Sequence, residues 1–136
     1  MNEKKNSNLL KVALAIFTIV TIVYGVSQIF FTQGYMEMTG NEPIDPSWLR
    51  WPGGVLIALG IAAIMALRNP AKQDIFVIAI TLGTLFTGLI LMYTLLFELE
   101  SESNTWFTAM PAIINLVLSI LLWIGRKQNR ELLKQD

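Results

Sequence analysis

The longest apolar run of the chain reads IFVIAITLGTLFTGLILMYTLLF, residues 75–97, and it contains no charged side chain. An α-helix needs roughly 17–25 apolar residues to cross the hydrocarbon core of a bilayer, and this run lies within that range. Because hydrocarbon offers no water to backbone amides, a run of this length has to pair its amides internally, as a helix does. We therefore predict a transmembrane helix over residues 75–97.

Three further runs of the same kind lie on either side of it, at residues 12–31, 51–67 and 106–125. Tryptophans stand at or near the ends of the second and fourth runs, where the headgroup region favours amphipathic rings. The whole chain is 54% hydrophobic and only 15% charged, whereas a soluble domain carries about 25% charged residues. The sequence predicts one all-α membrane domain over residues 1–136, a four-helix bundle.

The basic residues indicate how this bundle is oriented. All of them except Arg50 fall in the N-terminal tail, in the link between the second and third runs, or in the C-terminal tail. The positive-inside rule then predicts an up-down-up-down bundle with both termini in the cytoplasm. Residues 32–50 and 98–105 are the predicted outer loops, and the predicted location is a plasma membrane.

Small side chains recur every four residues on the second and third predicted helices. The second helix carries Gly54, Ala58, Ala62 and Ala66, and the third carries Ala79, Gly83 and Thr87. Helices in lipid associate where small residues let their backbones approach closely. Since a short link joins these helices, we predict that the two stripes pack against each other.

Two absences limit the chemistry that the chain can perform. It contains no cysteine and no histidine, which removes thiolate nucleophiles, disulfides, the common haem and copper ligands and the usual general base. No phosphate-binding loop, nucleophile elbow or metal-ligand cluster is visible. We therefore predict no catalytic residues, no metal and no cofactor, and the net charge of zero gives no reason to expect nucleic acid.

One constellation suggests a ligand site at the outer surface. Arg50 stands between Trp48 and Trp51 at the start of the second helix, and Glu42 and Asp45 precede it. Arginine beside a helix N-terminus favours an anion such as a phosphate or a carboxylate. The alternative is structural, because Arg50 could pair with these acids and clamp the outer loops together.

Asn115 is the polar residue nearest to the middle of the fourth predicted helix. An amide in the membrane costs free energy unless it is hydrogen-bonded. One interpretation is a bond across the bundle to a threonine that fixes the helix register. The other is a polar point in a ligand or ion path.

The second predicted helix begins with Arg50-x-x-Gly53-Gly54-x-x-x-Ala58-Leu59-Gly60. In this motif and in its four-helix layout the chain resembles the DoxX-like superfamily of small bacterial membrane proteins. The superfamily includes a subunit associated with quinone-linked sulfur oxidation, and many of its other members have no known function. The resemblance implies a four-helix fold in a bacterial inner membrane.

Three functions remain open from the sequence. The first is an accessory protein that binds a larger membrane protein, or a second copy of itself, within the lipid bilayer. The second is a binder or carrier of a lipid or quinone-like molecule in an outward-facing cavity rimmed by Arg50 and aromatic residues. The third is a membrane enzyme that uses the outer carboxylates of Glu42 and Asp45 together with Arg50.

Overall fold

A computed structural model of the protein describes residues 3–39, 45, 47–98 and 105–134. Apart from short links, this part of the chain is helical and contains no strand. The helices are α1 (Glu3–Phe30), α2 (Thr32–Thr39), α3 (Ser47–Arg68), α4 (Asp74–Phe97), α5 (Thr105–Gln128) and α6 (Arg130–Lys134). The all-α prediction is confirmed.

Four helical segments are long and apolar enough to cross a membrane. They are Asn8–Phe30, Ser47–Arg68, Asp74–Phe97 and Thr105–Gln128. At about 1.5 Å of rise per residue, a helix of some 20 residues matches the hydrocarbon thickness of roughly 30 Å. Between 22% and 39% of the most apolar stretch of each segment is buried within the isolated chain. The large apolar side chains that remain exposed on the outside have lipid as their natural surroundings.

The four long helices pack in the lateral order α3, α1, α5, α4. Helix α1 contacts both α3 and α5, and α4 packs on α5, whereas α3 and α4 share almost no close approach. The two central helices meet at Gly125, where an added Cβ would lie 2.9 Å from the Cα of Leu10. The bundle is therefore a row of helices with a gap between its two outer members.

The predicted pairing of the small-residue stripes is wrong. A Cβ added to Gly54 of α3 or to Gly83 of α4 would have no neighbouring atom within 4 Å. Ala58, Ala79 and Thr87 are exposed. Ala62 is only half-buried. The neighbours Gly53 and Gly60 make the close contact of α3 instead, and their partner is α1.

The reason is steric. A Cβ on Gly60 would lie 2.6 Å from Ile22 Cγ1, and one on Gly25 would lie 2.7 Å from the carbonyl oxygen of Gly53. This glycine face brings α3 closer to α1 than any residue with a side chain would permit. Because the face with Gly53 and Gly60 packs on α1, the stripe that begins at Gly54 lies on another side of α3. Ala66 is the one member of this stripe that is fully buried.

One end of the bundle is closed by a cluster of buried apolar side chains, which we call the basal core. It joins the first half of α1 to the last half of α3, the start of α4, the end of α5, and α6. Its members are Leu10, Ala13, Leu14, Phe17, Ala63, Ala66, Val77, Ile80, Leu122 and Leu133.

An ion pair at the same end links α4 to α5. Arg126 Nε donates to Asp74 Oδ1 at 2.7 Å, and Arg126 Nη2 donates to Asp74 Oδ2 at 2.9 Å. Both side chains are about 85% shielded from solvent, with 14% and 15% exposed. The guanidinium group also lies 5.4 Å from the ring centre of Trp123. A paired fork of this kind is among the stronger polar contacts in proteins.

Candidate ligand cavity

A cavity of about 430 Å³ fills the gap between α3 and α4, with α1 and α5 behind it. Its wall contains Phe17, Val20, Thr21, Tyr24 and Gln28 of α1, Tyr35 of α2, Leu56 and Leu59 of α3, Phe76, Ala79, Ile80, Gly83, Thr84, Thr87 and Leu91 of α4, and Phe107, Pro111, Ile114 and Asn115 of α5. Ligand sites in proteins have volumes of roughly 300–1,000 Å³.

The small side chains of α4 create much of this space. Ala79, Gly83 and Thr87 line the cavity and are exposed, because no helix covers them. The stripe that the sequence predicted as a helix-packing surface is thus a cavity wall. Since α3 and α4 barely touch, the cavity is open along this side of the bundle, where the surroundings are hydrocarbon.

The basal core closes one end of the cavity. Phe17 and Ile80 belong to both, and Phe76 packs against the basal core while lining the cavity. These side chains are entirely apolar. The floor therefore suits a hydrocarbon group and not a polar one.

Three of the polar side chains in the wall, those of Thr21, Thr84 and Asn115, have hydrogen-bond partners within their own helices. The hydroxyl of Thr21 donates to the carbonyl of Phe17 at 2.8 Å, and that of Thr84 donates to the carbonyl of Ile80 at 2.9 Å. No charged residue lines the cavity among the described part of the chain. A charged ligand would consequently lose its hydration without gaining an ion pair.

Asn115 lines the cavity, but its expected bond across the bundle to a threonine is not formed. Its Nδ2 donates to the carbonyl of Pro111 in the same helix at 2.9 Å. Pro111 has no N–H, so the carbonyl of Phe107 cannot receive the usual helical bond from it. Phe107, Pro111 and Asn115 all line the cavity, and α5 thus presents an irregular polar strip to it.

The end of the cavity opposite the basal core is polar. It consists of Tyr24, Gln28 and Tyr35. Tyr24 and Gln28 lie one helical turn apart on the same face of α1, and α2 brings Tyr35 beside them. Burial raises the pKa of the Tyr35 phenol, and the Gln28 amide lies close enough to oppose that rise as a hydrogen-bond donor. The Oε1 atom of Gln28 is buried and has no hydrogen-bond partner among the described residues.

The predicted outer-surface constellation lies apart from the cavity. Arg50, Trp48 and Trp51 are exposed and none of them lines it. Across the described ranges, Arg50 forms no ion pair. The predicted clamp with Glu42 stays a prediction, because Glu42 lies outside the described residues.

Asp45 has a local structural role. Its Oδ1 accepts a hydrogen bond from the backbone N–H of Ser47 at 2.9 Å, at the start of α3. Hydrogen bonds from the Ser47 backbone and side chain, aided by the charge of Arg50, lower the pKa of the Asp45 carboxyl. An acid that receives such bonds stabilises a helix N-terminus.

Sequence reasoning did not identify Tyr24, Gln28 and Tyr35 as site residues. The available signal was the spacing of Tyr24 and Gln28, which puts two polar side chains on one face of an otherwise apolar helix end. Tyr35 was not connected with them from the sequence, because its position depends on how α2 continues from α1 after the bend at Phe31.

Comparison of the chain with protein-family models, with curated proteins and with solved structures gives no match. The resemblance to the DoxX-like superfamily therefore stays a prediction.

Proposed function

We propose that the protein binds, and thereby stores or carries, a neutral lipid-like or quinone-like molecule in the cavity between α3 and α4. The observation that carries this proposal is the cavity itself: about 430 Å³ of space with apolar walls, a few polar groups at its edges and an open side toward hydrocarbon. Well-formed apolar cavities with a small number of polar groups are the usual form of ligand sites.

The charge of the lining supports a neutral ligand. The sequence suggested an anion, such as a phosphate or a carboxylate, next to Arg50, but Arg50 does not line the cavity. A head that carries no charge needs only hydrogen bonds, and the tyrosine and amide side chains at the cavity edge can form them.

For orientation, we propose an up-down-up-down bundle with both termini in the cytoplasm of a bacterial inner membrane. The distribution of basic residues supports the orientation, and the way the basal core joins helix starts to helix ends supports the alternation. The resemblance to DoxX-like proteins supports the bacterial membrane. The cavity would then open to the outer half of the bilayer.

Two leucine substitutions test the ligand proposal. Gly83 lines the cavity and Gly54 does not, while both stand in long helices with no atom within 4 Å of an added Cβ. We expect Gly83→Leu to fill the cavity without a clash and Gly54→Leu to leave it unchanged.

The measurement is native mass spectrometry after gentle extraction from the membrane. Wild type and Gly54→Leu should retain a bound small molecule of constant mass, and Gly83→Leu should lose it. A molecule retained equally by all three proteins, or by none, would contradict the proposal.

A second candidate function is that of an accessory subunit. The observation that favours it is the uncovered Gly54 and Ala58 surface of α3, which would let another transmembrane helix approach closely. For this function the same two variants give the opposite pattern, since Gly54→Leu should abolish cross-linking to a membrane partner or a second copy and Gly83→Leu should preserve it.

A further inference from the structure

The carbonyl oxygen of the Gln28 side chain is an unused acceptor inside the membrane protein. Its Oε1 atom is buried and unpaired within the described ranges, and the side chain lines the cavity. Buried polar atoms almost always have a hydrogen-bond partner, because leaving one unpaired costs free energy. The cavity is thus incomplete until a donor reaches this atom.

The protein offers few donors that could do so. The hydroxyls of Ser27 and Thr32 donate to the backbone carbonyls of Val23 and Gln28. The amide of Asn115 is engaged with Pro111. The phenols of Tyr24 and Tyr35 line the same part of the cavity, and neither of them donates to Oε1. Gln28 itself lines the cavity, so the cavity is the place from which a further donor can approach its side chain.

We infer that the ligand presents a neutral hydrogen-bond donor, in the simplest case an alcohol or phenol hydroxyl, and that Gln28 Oε1 accepts it. The inference rests on the proposed function and narrows its ligand class. A cationic donor is excluded as the main ligand because no carboxylate lines the described wall.

The remaining wall sets the orientation of the ligand. With the hydroxyl at Gln28, beside Tyr24 and Tyr35, the apolar part runs along α4 toward Phe17 and Phe76 at the closed end. The ligand is then a hydroxylated hydrocarbon, such as a long-chain alcohol or the reduced, hydroquinone form of a quinone. Ethers, and quinones in their oxidised form, lack the donor.

A matched pair of probes tests this assignment. The full chain is delipidated in detergent and titrated with 1-dodecanol and with its methyl ether, and binding is followed by native mass spectrometry. The two probes share their hydrocarbon chain and differ in the donor. We expect wild type to bind the alcohol about tenfold more tightly, the usual contribution of one hydrogen bond.

The variant Gln28→Met removes the acceptor and keeps the length of the side chain. It should bind both probes with the affinity that wild type has for the ether, and an unchanged melting temperature controls for folding. Tyr24→Phe removes a neighbouring hydroxyl and should keep the preference for the alcohol.

The outcomes separate the two proposals. Equal affinity of wild type for alcohol and ether, with Gly83→Leu binding neither, would overturn the donor assignment and leave the cavity as a ligand site. A preference for the alcohol that persists in Gln28→Met would also overturn the role of Gln28. If neither probe binds to wild type, both proposals fail. The wild-type comparison needs no variant, so it decides even where Gln28→Met does not fold.

Discussion

At the scale of single residues, three glycines decide how α1 and α3 meet. Gly25 of α1 faces Gly53 of α3, and a Cβ on either would lie within 3.0 Å of the other's carbonyl oxygen. Gly60 gives the same closeness to Ile22 further along the helix. Because burial from water contributes nothing between helices in lipid, this close packing is a main source of their attraction.

Gly25→Ala should therefore destabilise the protein. The added methyl group would meet the Gly53 carbonyl oxygen at 2.7 Å, and a backbone atom cannot move aside as a flexible side chain can. We expect a loss of about 1–3 kcal/mol in the free energy of unfolding, as for other overpacked contacts. Thermal or denaturant unfolding in detergent measures it.

Gly83→Ala is the matched control, because the space around its Cβ is empty. It should be neutral or slightly stabilising, since alanine is favoured over glycine within a helix by about 0.5–1 kcal/mol. Equal losses for the two variants would contradict the packing of α1 on α3.

At the scale of the helices, the sequence predicted which segments are helical but not which of their faces pair. The four runs of apolar residues correspond to the four long helices, because length and hydropathy alone specify a membrane helix. The faces that pair are harder to predict from the sequence, because lipid and neighbouring helices are equally apolar. The usual contrast between a polar and an apolar side of a helix therefore disappears. Gly53 and Gly54 are adjacent in sequence, yet one is packed on α1 and the other is free.

The same difficulty explains how the candidate site was predicted. Asn115 was found because an amide within an apolar run is visible in the sequence. An outward-facing cavity was one of the alternatives, but its position between α3 and α4 was not predicted. The cavity arises where α4 fails to meet α3, and no residue pattern marks a contact that is missing. Arg50 and the neighbouring tryptophans stand together in the sequence, but none of them lines the cavity in the folded protein.

The ion pair between α4 and α5 gives a prediction at this scale. Asp74→Asn should lower the free energy of unfolding by about 1–3 kcal/mol, the usual range for losing a charge-assisted hydrogen bond that is partly shielded. Arg126 would keep its shielded position, with only 14% of its side chain exposed, and would face a neutral amide.

Glu131→Gln is the control for Asp74→Asn, because it removes one negative charge as well. Glu131 is an exposed residue of α6. Its melting temperature in detergent should match that of wild type. A similar decrease in both variants would mean that net charge, and not the pair with Arg126, causes the loss.

At the scale of the whole molecule, the bundle is closed at the basal core and open along α3 and α4. The closed end unites parts of all four long helices, whereas the other end leaves Tyr35 of α2 beside the cavity. This asymmetry lets one region hold the fold together while the other region keeps an empty volume.

The proposed orientation is testable because the chain has no cysteine of its own. A single cysteine can replace Glu98, after α4, or Gln128, at the end of α5. In intact spheroplasts a membrane-impermeant maleimide should label Glu98→Cys at once and should label Gln128→Cys only after permeabilisation. The reverse pattern would contradict cytoplasmic termini.

The lateral order of the helices has a consequence for biogenesis. Helices α1 and α3 are successive spans, and so are α4 and α5, so each close pair is complete as soon as its second member leaves the ribosome. The first pair can thus fold in the bilayer while the second is still being translated, and the α1–α5 contact then joins two finished halves. The link at residues 69–73 is the natural point at which to divide the chain. The two halves, expressed as separate polypeptides in the same cell, should assemble into the whole protein.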